Sequence, residues 1–133
     1  FILPEFNFCR DGVLTSGLIA SMLGTTAFTE VMKFMKGYLQ LRTKVDVEPA
    51  FHEKTLQILA EKMKEHYSQL ITIDGVKSVI DEDSWVLVRQ SNTEHIVRIS
   101  TESTDLDKAK SIQKQVTELV KQSYEQARRN RNN

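Results

Sequence analysis

Leu70-Ile71-Thr72-Ile73-Asp74-Gly75-Val76-Lys77-Ser78-Val79-Ile80, then Asp81-Glu82-Asp83, then Ser84-Trp85-Val86-Leu87-Val88-Arg89-Gln90-Ser91-Asn92-Thr93-Glu94-His95-Ile96-Val97-Arg98-Ile99-Ser100 is the stretch that decides the fold. It contains four short runs rich in β-branched and aromatic residues, at 70–73, 76–80, 84–88 and 96–100, separated by polar connections. Such runs read as strands joined by hairpins, which makes the sheet antiparallel. Asp74-Gly75 predicts a tight two-residue turn, and Asp81-Glu82-Asp83 a polar one. The third connection is different. Arg89, Ser91, Asn92 and Thr93 crowd a guanidinium, two hydroxyls and an amide into one loop, the densest set of oxyanion donors in the chain.

Outward from this stretch the period changes from strand to helix. Upstream, Phe51, Leu56, Leu59, Ala60 and Met63 place an apolar stripe on a helix that opens near Pro49, with Glu53 early and Lys62, Lys64 and His66 late. Downstream, Leu106, Ala109, Ile112, Val116, Leu119 and Val120 repeat at helical spacing to about Tyr124. Earlier still, Val13, Leu14, Leu18, Ile19, Met22 and Leu23, then Phe28, Val31, Met32, Phe34 and Met35, predict two short helices. Gly24 breaks them, Thr25 or Thr26 caps the second, and residues 38–47 alternate like an extended connection into a strand. The expected fold is α+β: a small antiparallel sheet of about four strands flanked by helices, preceded by two helices.

Composition sets the limits. Among 133 residues, Lys and Arg number 18 and Asp and Glu 18, so the formal net charge is zero. Without a whole-chain field, anion binding must be local, and nucleic acid and membrane surfaces are not expected partners. Trp85 is the only aromatic residue in the strand region, which counts further against a nucleic-acid platform. A single cysteine, Cys9, cannot form an internal disulfide and, with no basic activator identified for it, reads as a partly buried, inert thiol. A cytoplasmic protein is expected. The opening Phe1-Ile2-Leu3-Pro4 looks like the end of a buried strand, and so like a piece of a longer protein.

Other chemistry-bearing residues read more plainly. His52, His66 and His95 lack metal-ligand spacing and read as surface or capping histidines; His95 adjoins the loop, where a protonated ring would add positive charge. Asp81-Glu82-Asp83 reads as a solvated turn, and no metal site is expected in this chain. Met22, Met32, Met35 and Met63 read as core filler. Arg128 to Asn133 reads as a disordered tail.

Asp74-Gly75-Val76-Lys77, Trp85-Val86-Leu87-Val88, Arg89-Gln90-Ser91-Asn92-Thr93-Glu94 and Ile96-Val97-Arg98-Ile99, with Glu102 and a closing helix from Asp105, stand in a distinctive order and spacing. That series resembles the C-terminal phosphate-binding domain of the alpha-D-phosphohexomutases, the superfamily of phosphoglucomutase, phosphomannomutase and phosphoglucosamine mutase. Cys9-Arg10-Asp11-Gly12 and Leu41-Arg42-Thr43-Lys44-Val45 look like the end of the preceding domain and its linker. The resemblance implies that residues 1–40 are the remnant of a sugar-binding α/β domain, 41–127 the phosphate-binding domain and 128–133 a tail. It further implies that Arg89, Ser91, Asn92 and Thr93 hold a substrate phosphate, with Glu94 and Arg98 in support.

By the same resemblance, the parent enzyme would interconvert hexose 1- and 6-phosphates through a phosphoserine and a hexose 1,6-bisphosphate. It would use magnesium bound outside this chain, and the missing N-terminal domains would be the chain's partners. The phosphoserine loop, the magnesium site and the sugar-recognition motif have no counterpart here, so the chain alone is expected to be inactive. Gln90 and His95 stand where the family usually has proline, and Asn92 where it usually has glycine, a position suited to left-handed backbone. A stand-alone module binding a phosphorylated ligand or nucleic acid is the competing expectation.

Overall fold

The computed structural model describes residues 2–6, 8–35 and 37–130, the Met35 side chain excepted. The chain divides into two compact units, Phe1–Gly37 and Tyr38–Asn133. The opening Phe1, at the expected strand end, and residues 131–133 of the expected tail lie outside the described residues.

The first unit carries α1 (Gly12–Met22) and α2 (Thr26–Met35). Asp11 caps α1 by accepting the Leu14 amide at 2.8 Å, and Thr25 caps α2 by accepting the Phe28 amide at 3.2 Å. Gly24, at φ +82°, supplies the left-handed turn between them. The apolar positions of α1 are not a core: none is buried, and Val13 is 87% exposed. Helices this short cannot bury a face on their own. Met22 and Met32 are exposed too, so of the methionines whose side chains are described only Met63 fills a core. Cys9 is exposed, not partly buried. No single described helix is long and apolar enough to cross a membrane; α1 and α2 qualify only when joined, and they bend by 112°.

The second unit holds a five-stranded sheet, β1 (Leu39–Asp46), β2 (Gln69–Ile71), β3 (Val76–Asp81), β4 (Ser84–Gln90) and β5 (Ile96–Ser103), in the order β1-β5-β4-β3-β2 with every pair antiparallel. The alternating segment at 38–47 is therefore itself an edge strand, paired along its whole length with β5. Both α3 (His52–Lys64), entered through a 3₁₀ turn at Pro49–Phe51, and α4 (Leu106–Arg129) pack on one face of the sheet. Between them and the sheet lies the core of Leu59, Met63, Val76, Val86, Val88, Val97, Ile99, Val116 and Val120. Neither α3 nor α4 packs on the other face. Strand alternation sends Lys77, Trp85, Leu87, Arg89 and Arg98 to it, each less buried than its core-facing neighbours.

Two turns differ from their expected forms. Asp74-Gly75 is not a two-residue hairpin: β2 ends at Ile71, and Thr72 to Gly75 bridge to Val76. The two-residue turn is Glu82-Asp83, between paired Asp81 and Ser84. Neither residue has positive φ, so the turn lacks the primed geometry that matches strand twist. A register shift between Val79 and Asp81 accommodates it.

The end of α4 is another correction. Arg128 and Arg129 are helical, not tail. Ala127 is buried, and the Arg128 guanidinium lies 5.6 Å from the Tyr124 ring and 3.6 Å from the Glu125 carboxylate, which extends the helix past Tyr124.

At its start, α4 is capped by the Asp105 carboxylate, which accepts the Asp107 amide at 2.8 Å and the Lys108 amide at 3.1 Å. Lys108 also pairs with Asp81 and, by that hydrogen bond first, holds the Asp81 carboxyl below the usual carboxylate range. A depressed carboxyl favours the folded state above its unfolded pKa, and that contribution fades as pH falls through the folded value. An NMR titration should find Asp81 ionising below an ordinary aspartate, with Lys108→Met moving it back up. An unmoved Asp81 in that variant would remove Lys108 as the cause.

Candidate functional site

The Arg-x-Ser-Asn-Thr segment begins on a strand. β4 runs through Gln90, so Arg89 sits in the ladder opposite Arg98 of β5, and Lys44 of β1 is the next partner of Arg98. The hairpin then closes where the Ser91 amide donates to the Ile96 carbonyl at 3.0 Å, leaving Asn92 to His95 as the loop proper. Three cations thus stand in register on adjacent strands, on the face opposite α3 and α4, an arrangement that disfavours the sheet unless anions come near.

Local anions answer part of this charge. Glu94, at the end of the loop, pairs with Arg98. The Asp74 carboxylate lies 4.0 Å from the Arg89 guanidinium, with both side chains at least half exposed. So exposed and distant a pair contributes little, and the Arg89 fork stays available to a stronger anion.

Gly75 explains why Asp74 is there. A Cβ on Gly75 would stand 2.2 Å from the Val88 carbonyl oxygen and 2.9 Å from the Arg89 Cβ, and its φ is +87°. Only glycine lets this turn lie against the strand that carries Arg89.

Ser91 is 7% exposed, and its Oγ accepts the Glu94 amide at 3.2 Å, which leaves the hydroxyl proton to be donated elsewhere. Asn92 and Thr93 are exposed, and among the described residues neither side chain has a hydrogen-bond partner. Ser91 to His95 form one wall of an open groove of about 1410 Å³; residues 72–76 and the face of α3 form the others. Arg89 lies outside that lining, beside Asp74 at its rim. One end of the β4–β5 hairpin thus gathers one guanidinium and several neutral donors in a solvent-open setting suited to a charged ligand.

His52 is the residue that the sequence reading misplaced. It is 6% exposed, and its Nε2 donates to the Val47 carbonyl at 2.9 Å. A histidine three residues after Pro49, at the head of an amphipathic helix, was the available signal. His95 is exposed and lines the same groove.

No group of three His, Cys, Asp or Glu side chains able to hold a metal occurs among the described residues. Asp81, the first acid of the acidic turn, is engaged by Lys108. Magnesium needs several oxygen ligands, and these residues do not fit it.

Residues 43–119, more than half of the chain and all of the sheet except the first half of β1, match the family described as phosphoglucomutase/phosphomannomutase, C-terminal domain. The chain belongs to that family. Among relatives of this phosphohexomutase domain, a probable phosphoglucosamine mutase of Thermococcus gammatolerans is 33% identical over 130 residues, covering 96% of this chain and 29% of the relative. The proteins of the same description from Pyrococcus furiosus, at 30%, and Methanopyrus kandleri, at 27%, also cover 96% of the chain. The chain spans under a third of the length of these curated relatives.

The family frame makes one departure legible. Asn92 stands at the usual glycine position, yet no described non-glycine residue has positive φ. The loop therefore does not use the left-handed backbone for which asparagine would have been the natural substitute.

Proposed function

We propose that this domain holds the non-reacting phosphate of a hexose phosphate within a longer phosphohexomutase. The observation that carries this reading is the placement of Arg89 at the end of β4, at the rim of a loop whose Ser91, Asn92 and Thr93 retain donors. Arg89 gives a bidentate charged contact, the loop adds neutral donors, and none of these groups is matched to sugar stereochemistry. A clamp of that kind suits an enzyme that must bind its substrate in two orientations, because binding energy far from the reacting centre positions the reacting end.

The parent would interconvert hexose 1- and 6-phosphates through a phosphoserine and a bisphosphate in the cytoplasm. Its serine, its sugar-recognition residues and any magnesium ligands would come from the part that the relatives possess beyond this chain. Phosphoglucosamine is the substrate suggested by the names of the relatives. Residues 1–37 would be the end of the domain before, and this chain alone would show no mutase activity.

Titration of the chain with inorganic phosphate and with glucose 6-phosphate, followed by amide shifts of residues 89–94, tests the clamp. Arg89→Ala removes a charge-assisted contact worth about 1.5 to 3 kcal/mol, on the order of tenfold to a hundredfold in affinity. Equal affinity in wild type and variant would reject Arg89 as the anchor.

A further inference from the structure

We infer that His52, a buried residue outside the loop, is a positioning residue for the phosphate-binding loop; the inference rests on the proposed phosphate role of that loop. Its Nε2 can bond a carbonyl only as a donor, and it does so to Val47, which is 1% exposed. The Val47 amide in turn donates to the His95 carbonyl at 3.0 Å, at the last peptide of the loop. The Ser91 amide closes the loop base on the Ile96 carbonyl, also at 3.0 Å. Hydrogen bonds therefore link the head of α3 to Val47, just past β1, and Val47 to His95, the last residue of the donor loop, whose neighbour Ile96 is bonded in turn to Ser91.

The anchor end of this set is fixed. Phe51 packs edge-on against Tyr124 of α4 with ring centroids 5.8 Å apart, and the Tyr124 hydroxyl donates to the Glu48 carboxylate at 3.1 Å. The head of α3 is thus pinned to the longest helix on one side and to the loop on the other. Such support matters here because the loop carries Gln90 and His95 rather than prolines, so its backbone is not stiffened by its own residues. A site is held to its working geometry by hydrogen bonds behind the residues that touch the ligand. Removal of the His52 donor leaves the Val47 carbonyl buried and unpaired, and the strand end must move to find another partner.

Three chains, wild type, His52→Phe and His52→Gln, separate positioning from general stability. Phe keeps the ring volume without the donor, and Gln keeps a donor at similar reach. Two readouts are taken on each: amide hydrogen exchange at Val47 and Ser91 against Val97 and Ile99 in the core, and inorganic phosphate affinity by amide shifts. The expected result is faster exchange at Val47 and Ser91 alone in His52→Phe, phosphate affinity weakened by roughly fivefold to tenfold, and both restored in His52→Gln. Exchange rising equally at all four amides, unchanged phosphate affinity in His52→Phe, or no recovery in His52→Gln would each overturn the positioning role. Phosphate binding that responds to Arg89→Ala but not to His52→Phe would reject this inference and leave the clamp standing. No phosphate binding by the wild type would reject both.

Discussion

Gly75→Ala should be among the most damaging single substitutions in the domain. Alanine would have to adopt φ +87°, and its methyl would lie 2.2 Å from the Val88 carbonyl oxygen and 3.0 Å from the Arg89 Cα. Neither neighbour is the free end of a flexible side chain; both belong to the backbone of a central strand. The backbone penalty for a non-glycine residue and the displacement of the turn act together, for a loss of roughly 3 kcal/mol. Urea unfolding of wild type and variant measures it as a fall in the midpoint at unchanged slope. The displaced turn also carries Asp74 away from Arg89, so phosphate affinity should change in the protein that remains folded. A midpoint within experimental error of wild type would mean that the turn does not lie against β4.

Leu59→Ala should cost as much by another route. Leu59 is 0% exposed on α3, in the cluster that also contains Val86 and Val88 of β4 and Val97 of β5. Truncation removes buried methyl groups and leaves a void bounded by a helix and a sheet that cannot both collapse, at about 2 to 5 kcal/mol. The same helix forms a wall of the groove and presents His52 to Val47. Loss of seating should therefore appear first as faster amide exchange along α3, below the global unfolding limit. Exposed Ile73, at 93%, is the internal control: Ile73→Ala should move the urea midpoint hardly at all. Equal effects from the two substitutions would contradict the packing described.

Much of the fold is legible in the sequence because its elements have strong periods. The strands at 76–80, 84–88 and 96–100 and the helices starting near Pro49 and Asp105 are written as apolar alternation, apolar stripes and caps, which are properties of neighbouring residues. The candidate loop was legible for a similar reason: its donors are contiguous, and the family frame around them is linear. The edge strand β1 was less so, since its ladder partners all lie on β5, fifty or more residues later. The turn at Asp74 to Gly75 misled because the dipeptide carries the same conformational freedom in a tight hairpin as in a longer bridge. What decides between them is the close approach of Val88 and Arg89, which no local pattern encodes.

The sequence by itself determined the family, the α+β class and the chemical character of the loop, because each rests on residue type and short-range order. Tertiary structure alone decided which residues stand behind and beside that loop. It set Arg89 opposite Arg98 and beside Asp74, left the apolar positions of α1 out of any core, and buried His52, whose local sequence suits the surface. The physical reason is the same in each case. Burial, register and hydrogen-bond partnership depend on atoms brought close by folding, and His52 is linked to the loop through Val47 and His95, residues that the chain separates and folding joins.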